Sequence, residues 1–382
     1  MSEDLRCYYE KLFPVETFCR WLSPGKSDLM KRELSFTLPG DIYCRYQSFA
    51  DHKEFGNALI DRIPDKIDIG AIFSGCPKHF HQFGVVASSG GVFRPIEREL
   101  VFDIDMDEYD TVRTCCKGAN VCEKCWTFIA AAVRVLHEAL VEDFAFSKIM
   151  FAFSGRRGVH CWVSDKAARL LSNEERSAVA EYLQIVQGAG KANSLRRRGA
   201  LNHPLVKRSS AICEKYFEKS ILGIVEGQDL GKQEDGVFSK IIAQLDDNIK
   251  SHILNGKPGS REIWARLKDY LKSTKRKEGL PTVEEVILEN TYPRLDINVS
   301  KQLNHLLKAP FCIHPKTGKV CVPIMDTLHP ETFNPHDVPT LSNIVKAQRE
   351  GKTTTLEPYL AWFNQFVNSI EAEERDTSDM TF

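Results

Sequence analysis

The chain has 382 residues, 42% of them hydrophobic and 27% charged, with a formal net charge of -1 at pH 7 and an isoelectric point near 6.8. That composition describes a soluble globular protein with room for two units, and no apolar run approaches the length a membrane crossing needs. The near-zero charge argues against a protein that grips nucleic acid strongly by itself, since such domains typically have isoelectric points above about 9.

Residues 1–25 read as two short helices split by Pro14, and strand patterns dominate from 33 to 106. The last of these strands alternates. Leu100, Phe102, Ile104 and Met106 fall on one face, and Val101, Asp103, Asp105 and Asp107 on the other. Residues two apart on a strand lie about 6.5–7 Å apart at Cα, so Asp103 and Asp105 can converge on metal ions. Two such carboxylates repel each other and lose hydration, and a divalent cation removes both penalties. A half-solvated strand carrying ordinary surface acids is the competing reading.

Cys115-Cys116 and Cys122-Glu123-Lys124-Cys125 follow, placing four thiols in one short stretch. A Cys-x-x-Cys turn presents two thiolates to one Zn²⁺, and four sulfurs complete its tetrahedron. Consecutive cysteines diverge, so an irregular loop must turn Cys115 and Cys116 inward. Disulfides compete for the twelve cysteines, but no secretory apolar stretch opens the chain, which favours a reducing compartment. A zinc held by four sulfurs has no open position, so it stabilises a loop and does no catalysis. A helix is expected over 126–140, with Ile129, Val133, Leu136 and Leu140 at helical spacing.

Ile149–Phe153 and Val159–Val163 read as two strands joined by the loop Ser154-Gly155-Arg156-Arg157-Gly158. The glycines permit a tight turn, and two guanidiniums can fork onto phosphate oxygens. As a bare pattern this is a hairpin with a basic tip, and most basic tips are simply solvated. Ser172 with Glu175 resembles a capping box. The basic runs Arg196-Arg197-Arg198 and Lys275-Arg276-Lys277 suit contacts to DNA, solvated helix ends or a nuclear import signal alike.

Arg294-Leu295-Asp296-Ile297-Asn298-Val299 repeats the alternation, with Asp296 on the polar face of a further strand. Ser300 reads as the cap of a short helix carrying His305 and Lys308, and His314 precedes the turn Pro315-Lys316-Thr317-Gly318. Carboxylates for metal with cations for anion suit a nucleoside triphosphate site. Helices return from about 340, and the acidic tail from Glu371 reads as disordered.

These segments carry a resemblance. Tyr8–Pro14, Arg20–Leu22, Arg32–Leu38, Asp41–Phe49, Lys66–Ala71, the Asp103 strand, the Ser154–Trp162 hairpin, Tyr292–Ile324 and Val338–Thr340 resemble, in order, the small catalytic subunits of eukaryotic DNA primases. These belong to the archaeo-eukaryotic primase superfamily. The helical middle, 166–290, is not clearly matched.

The resemblance implies a mixed α/β primase catalytic fold with antiparallel sheets flanked by helices. It implies a discontinuous catalytic domain, 1–165 and 288–382, with a zinc knuckle at 115–125 and an inserted, mainly helical subdomain at 166–287. Asp103, Asp105 and Asp296 would bind two Mg²⁺ or Mn²⁺ ions, with Glu33 a further acidic active-site residue. Ser154, Gly155, Arg156, Arg157, Gly158, His160, Lys308 and His314 would contact the triphosphate, with His305, Leu306 and Leu307 beside the sugar. Arg45 and Asp68 fall near the nucleotide pocket. From the sequence pattern alone, Glu33 and Arg45 are exposed residues on alternating strands.

The implied activity is synthesis of short RNA primers on a single-stranded DNA template from ribonucleoside triphosphates. It would operate in the nucleus, with a primase large subunit and the replicative DNA polymerase alpha complex as partners and no membrane. The cofactors would be Mg²⁺ or Mn²⁺ for catalysis and Zn²⁺ for structure. Three rivals remain at this point: a metal-dependent nuclease or phosphohydrolase using the same aspartates, a silent zinc-containing scaffold, and a superfamily polymerase extending with deoxynucleotides.

Overall fold

Two antiparallel sheets flanked by helices organise the chain, in a computed structural model that describes residues 2–24, 28–80, 93–186, 202–218, 229–230, 236–273 and 280–379. The first sheet has the order β2-β1-β3-β4, where β1 is Arg32–Leu38, β2 Ile42–Gln47, β3 Lys66–Phe73 and β4 Pro95–Glu97. Another short strand, β8 (Leu307–Lys308), also pairs with β3. The second sheet has the order β5-β7-β6, with β5 Leu100–Asp105, β6 Ile149–Phe153 and β7 Gly158–Val163.

Alternation decides what each face does. Leu34 and Phe36 of β1 are buried with Phe13, Phe18, Phe49 and Phe55 in one aromatic cluster, while Glu33 and Ser35 point to the opposite, polar face. β6 and β7 are buried along their whole lengths, which is why both read as continuous apolar runs rather than alternating ones.

The helices Ser2–Lys11 and Val15–Leu22 flank Pro14 as expected. A third, His52–Arg62, interrupts the strand-rich region. It is capped by Asp51, whose side chain accepts from the backbone N–H groups of Lys53 and Glu54. The helix expected over 126–140 is longer, Glu123–Phe144, because Cys122 caps it and its N–H donates to Cys125 Sγ at 3.2 Å. The Ser172–Glu175 capping box is present in both directions. The described part of 166–287 is helical, through Asn173–Leu183, Pro204–Tyr216, Val237–Ala243, Asp247–Leu254 and Ser260–Ser273. Both basic runs, 196–198 and 275–277, lie outside the described residues.

The return of the chain near 293 differs from the expected strand. Residues 293–296 carry no strand, and Asp296 instead caps the helix Ile297–Lys301, accepting from Asn298 N at 3.1 Å. The physical reason is the open edge of β5. Asp296 N donates to Asp103 O at 3.2 Å, and Ser300 Oγ donates to Val101 O at 2.6 Å. Capping that edge with a helix end protects it as well as a strand would. Ser300 is therefore a buried helix residue and not a cap. His305 sits in the turn after the helix, its N–H reaching Gln302 O, and Lys308 lies on β8 rather than on a helix. Farther on, Phe153 N donates to Val322 O and Ile324 N to Phe151 O, closing the edge of β6. One returning segment thus covers both edges of the second sheet.

The acidic tail is a second difference. A helix runs from Glu357 to Asp379, with Phe363, Val367 and Ile370 buried. Glu371 lies 2.6 Å from Arg20, and Glu374 pairs with Arg169. The acids that suggest disorder by composition are matched by cations distant in sequence.

Candidate active site

β5 ends at the point where the two sheets meet. Asp103 and Asp105 are both partly exposed on its polar side, with Asp103 opposite His160 and Asp105 opposite Gly158 on β7. Gly158 is required here: a Cβ would lie 2.5 Å from Ile104 O, in the neighbouring backbone. Gly155 is required for a second reason, its φ of +87° and a phantom Cβ 2.6 Å from His314 Cβ. Gly158→Ala is expected to cost about 1–3 kcal/mol by prying β5 from β7, read as a lower urea midpoint with an unchanged slope.

The loop Ser154–Arg157 is tied down from three sides. Ser154 Oγ accepts from Gly158 N at 3.0 Å, Thr317 Oγ1 donates to Gly155 O at 2.7 Å, and Lys308 Nζ donates to Ser154 O. Thr317 belongs to the expected turn, where Thr317 N and Gly318 N both donate to His314 O. Arg157 reaches back across β5. Its Nε lies 2.7 Å from Asp105 Oδ1 and its Nη2 2.8 Å from Asp107 Oδ2. Asp107 is thus a partner that the resemblance did not single out, though the strand alternation already placed it on this face.

Lys308 joins the two sheets. It pairs with Asp68 on β3, and its carbonyl lies 3.3 Å from His160 Nδ1. Asp68 is nearly fully buried, with Lys66 Nζ 3.0 Å away and Ser35 Oγ donating at 3.3 Å. Glu33, expected at the surface from pattern alone, is fully buried and chelated by Arg45, whose Nε and Nη2 donate at 3.0 and 3.3 Å. Burial pushes the Glu33 carboxyl above its ordinary value, against the pull of Arg45. Leu306 and Leu307 carry the chain from His305 into β8.

Electrostatics knit these groups together. The Asp103 carboxyl is pushed up to about 6, first by burial and then by the charge of Asp296, while Lys308 and His305 oppose the rise. Asp105 is also raised by burial, with Arg157 opposing. His160 is pushed down to about 3 by burial and then by Lys308, so the ring is neutral. A carbonyl only accepts, which puts the ring proton on Nδ1 as assigned from its partner. Nε2 then faces Asp103 Oδ1 at 3.7 Å, too long for a hydrogen bond and, with a neutral ring, not an ion pair. His314 is lowered to about 4 by burial, Lys308 and Arg156, and His305 is lowered by burial and then Arg98.

Asp103, Asp105 and Asp296 offer hard oxygen donors of the kind Mg²⁺ and Mn²⁺ take. The backbones of Asp103 and Asp296 touch, and their charges act on each other. Yet among the described residues the only set of three or more ligand atoms close enough to share one ion is the cysteine cluster. Arg157 holds Asp105, and Asp296 spends one oxygen on its helix cap, so rotation of side chains would have to complete a carboxylate shell. The raised Asp103 pKa gives this a pH signature. Its charged form is disfavoured by burial and by Asp296, so fewer sites can take a cation as pH falls through 6. Mn²⁺ affinity is expected to weaken about tenfold per unit below pH 6 and to level off above it. Calorimetry at pH 5, 6, 7 and 8 reads this; a flat profile, or the same slope in Asp103→Asn, rejects it.

The cysteines meet the sequence expectation in position. Sγ atoms of Cys115, Cys116, Cys122 and Cys125 all lie within 4.8 Å of one another, and no disulfide joins any of the twelve cysteines. Cys125 is buried, and its thiol is pushed far up by hydrogen bonding with Cys115 and then by burial. Four sulfurs crowded this way suit a cation that stabilises thiolates. Arg113 organises the loop, donating to Asp110, Gly118 O and Asn120 O, with Nη1 3.7 Å from Cys125 Sγ.

Comparison with known proteins shows the family. A family model described as DNA primase small subunit matches residues 102–326, a span that includes Asp103, the cysteines, the 154–157 loop and Asp296. The DNA primase small subunit of Drosophila melanogaster is 42% identical over 90% of this chain and 81% of its own length. That of Schizosaccharomyces pombe is 37% identical over 90% and 77%, and that of Saccharomyces cerevisiae 35% identical over 98% and 93%. With a family match over more than half its length and relatives this similar end to end, the chain belongs to the DNA primase small subunit family.

Proposed function

We propose that this chain catalyses template-directed synthesis of short RNA primers on single-stranded DNA from ribonucleoside triphosphates. The observation that carries the reading is the contact between Asp296 N and Asp103 O at 3.2 Å. It brings an aspartate from the returning segment beside β5, next to a loop bearing Arg156 and Arg157. Asp103, Asp105 and Asp296 would hold two Mg²⁺ or Mn²⁺ ions. When bound, these ions activate an attacking 3′-hydroxyl and neutralise the departing pyrophosphate.

The chain's own groups do the rest. Arg156, Arg157 and Lys308 surround the place where phosphates would lie, and guanidiniums recognise phosphate in a forked, oriented manner. Arg157 pairs with Asp105 and Asp107 and presents a fork for which phosphate oxygens compete. His160 donates to a phosphate only from Nε2–H, and an adjacent anion raises a histidine pKa in the required direction. Glu33, Arg45 and Asp68 line the first sheet's polar face, with His305 to Leu307 following beside the sugar. The ribose preference over deoxyribose belongs to this proposal too.

The unit at work is proposed to be a heterodimer with a primase large subunit, attached to the replicative DNA polymerase alpha complex in the nucleus. The near-neutral charge supports weak template affinity alone and help from a partner. None of the described helices is long and apolar enough to cross a membrane. We also propose the division into 1–165 with 288–382 as catalytic domain and 166–287 as insert, testable by expressing the catalytic parts joined by a short linker. The deciding experiment incubates the protein with poly(dT), labelled ATP and Mn²⁺ or Mg²⁺, and sizes the products. A short RNA ladder, absent in Asp105→Ala, supports the reading. Cleavage of labelled DNA without nucleotide dependence selects a nuclease instead, and extension only with deoxynucleotides selects a DNA polymerase.

A further inference from the structure

Arg98 is a buried cation whose hydrogen-bonding capacity is mostly unused. It lies between β4 and β5, is 0% exposed, and donates from Nη1 to Gln302 O at 3.1 Å. Its Nε and Nη2 are buried and have no hydrogen-bond partner. Buried guanidinium groups are expensive without partners, and a native structure keeps few of them. Two other buried arginines stand near it, but each is occupied: Arg32 is bidentate to Glu99, and Arg176 donates to five backbone carbonyls. The strain shows in the Arg98 guanidinium, lowered to about 9 by burial and then by Arg176.

The charges that Arg98 acts on are those of the nucleotide pocket. It lowers His305, lowers the buried carboxyl of Glu33, and feels Glu33 in return. Glu33 now belongs to Arg45, the more exposed partner of the pair, with 35% side-chain exposure against none for Glu33. If Arg45 swings to a phosphate, Glu33 keeps the backbone N–H of Tyr46 but loses its paired cation in the interior, which is unfavourable. A nucleotide that recruits Arg45 would have to bear that cost.

We propose that Arg98 is a positioning residue that takes over Glu33 when a nucleoside triphosphate draws Arg45 away, while its bond to Gln302 holds the turn bearing His305. This rests on the reading of Arg45 as a triphosphate contact. Glu33 then exchanges one guanidinium for another, and Arg98 gains the partner that its Nε and Nη2 otherwise lack. Arg98 does not touch the substrate itself; it acts through Glu33, Arg45 and His305.

The test is UTP binding in Mn²⁺ by calorimetry, with thermal melts of each variant. Arg98→Met removes an unsatisfied buried charge, so a purely structural role leaves affinity unchanged and the melting temperature equal or higher. The proposal expects UTP affinity to fall tenfold or more at an equal or higher melting temperature, and Arg98→Lys to restore most of it. In a Glu33→Gln background Arg45 is already released, so adding Arg98→Met should change affinity less than threefold. An Arg98→Met protein that binds UTP within twofold of wild type overturns the proposal, as does an equal loss in both backgrounds. If Arg98→Met does not fold, Arg98→Gln serves, keeping an amide donor for Gln302 and losing the charge. Failure of the wild-type protein to bind UTP at all would instead reject the proposed function.

Discussion

Asp103→Ala and Asp296→Asn each lower nucleotide incorporation by about a thousandfold or more, roughly 4 kcal/mol of transition-state stabilisation, while zinc content and melting temperature stay near wild type. The two halves of that expectation have separate causes. Activity falls because a site for two cations cannot lose a carboxylate and keep its charge balance. Stability holds because the charged form of Asp103 is disfavoured in the folded chain: its pKa is raised to about 6 by burial and by Asp296. A raised carboxylate binds more protons in the folded chain than in the unfolded one between about pH 4 and 6. Folding stability therefore declines as pH rises across that window, and removing the acid cancels the decline. Asparagine is chosen at 296 because its side-chain oxygen can still accept from Asn298 N, the cap bond seen at 3.1 Å. Alanine there would add about 0.5–2 kcal/mol of capping loss and blur the reading. Primer synthesis assays beside zinc determination and melts give both numbers. Residual activity within tenfold of wild type in both variants would refute the proposed carboxylate site.

Cys122→Ser shows the reverse pattern. Bound zinc per chain drops toward zero, the melting temperature falls by several degrees, and incorporation declines only in step with folded protein. Cys122 caps the long helix Glu123–Phe144 and stands with three other sulfurs inside 4.8 Å. Without a cation these thiols have mainly each other as partners, and the helix start loses its anchor. The cysteine loop connects to the chain just after β5 through Arg113 and Asp110, joined at 2.6 Å. A melt unchanged by Cys122→Ser with zinc retained would contradict this separation of roles.

What could be read from sequence was what local chemistry alone determines. The alternation around Asp103, the glycine-bounded hairpin, the four cysteines and the Ser172 capping box follow from period, turn residues and ligand type, and the structure places them as expected, except that the strand stops at Asp105 and Met106–Tyr109 form a short 3-10 helix. Misreadings arose where a distant partner decided the outcome. Asp296 sits amid β-branched residues that favour a strand, yet the open edge of β5 is satisfied by a helix cap. The segment after Glu371 looks unstructured by composition, yet Arg20 and Arg169 hold it as a helix. Glu33 looks exposed because alternation reports which face a residue is on, and not that Arg45 covers that face. Arg98 gave no local signal at all. Only burial and the absence of partners single it out, and neither can be counted before the chain is folded.

The closure of β5 by Ser300, 199 residues away in sequence, bears on how the protein is made. A ribosome adding roughly 5–20 residues per second leaves β5 waiting about 10–40 s for the segment that finishes it. During that interval a nascent polypeptide exposes an unpaired strand edge and two neighbouring acids, an invitation to misassembly. Yield in a recombinant host should therefore respond to chaperone supply and growth temperature more than to the stability of the finished molecule.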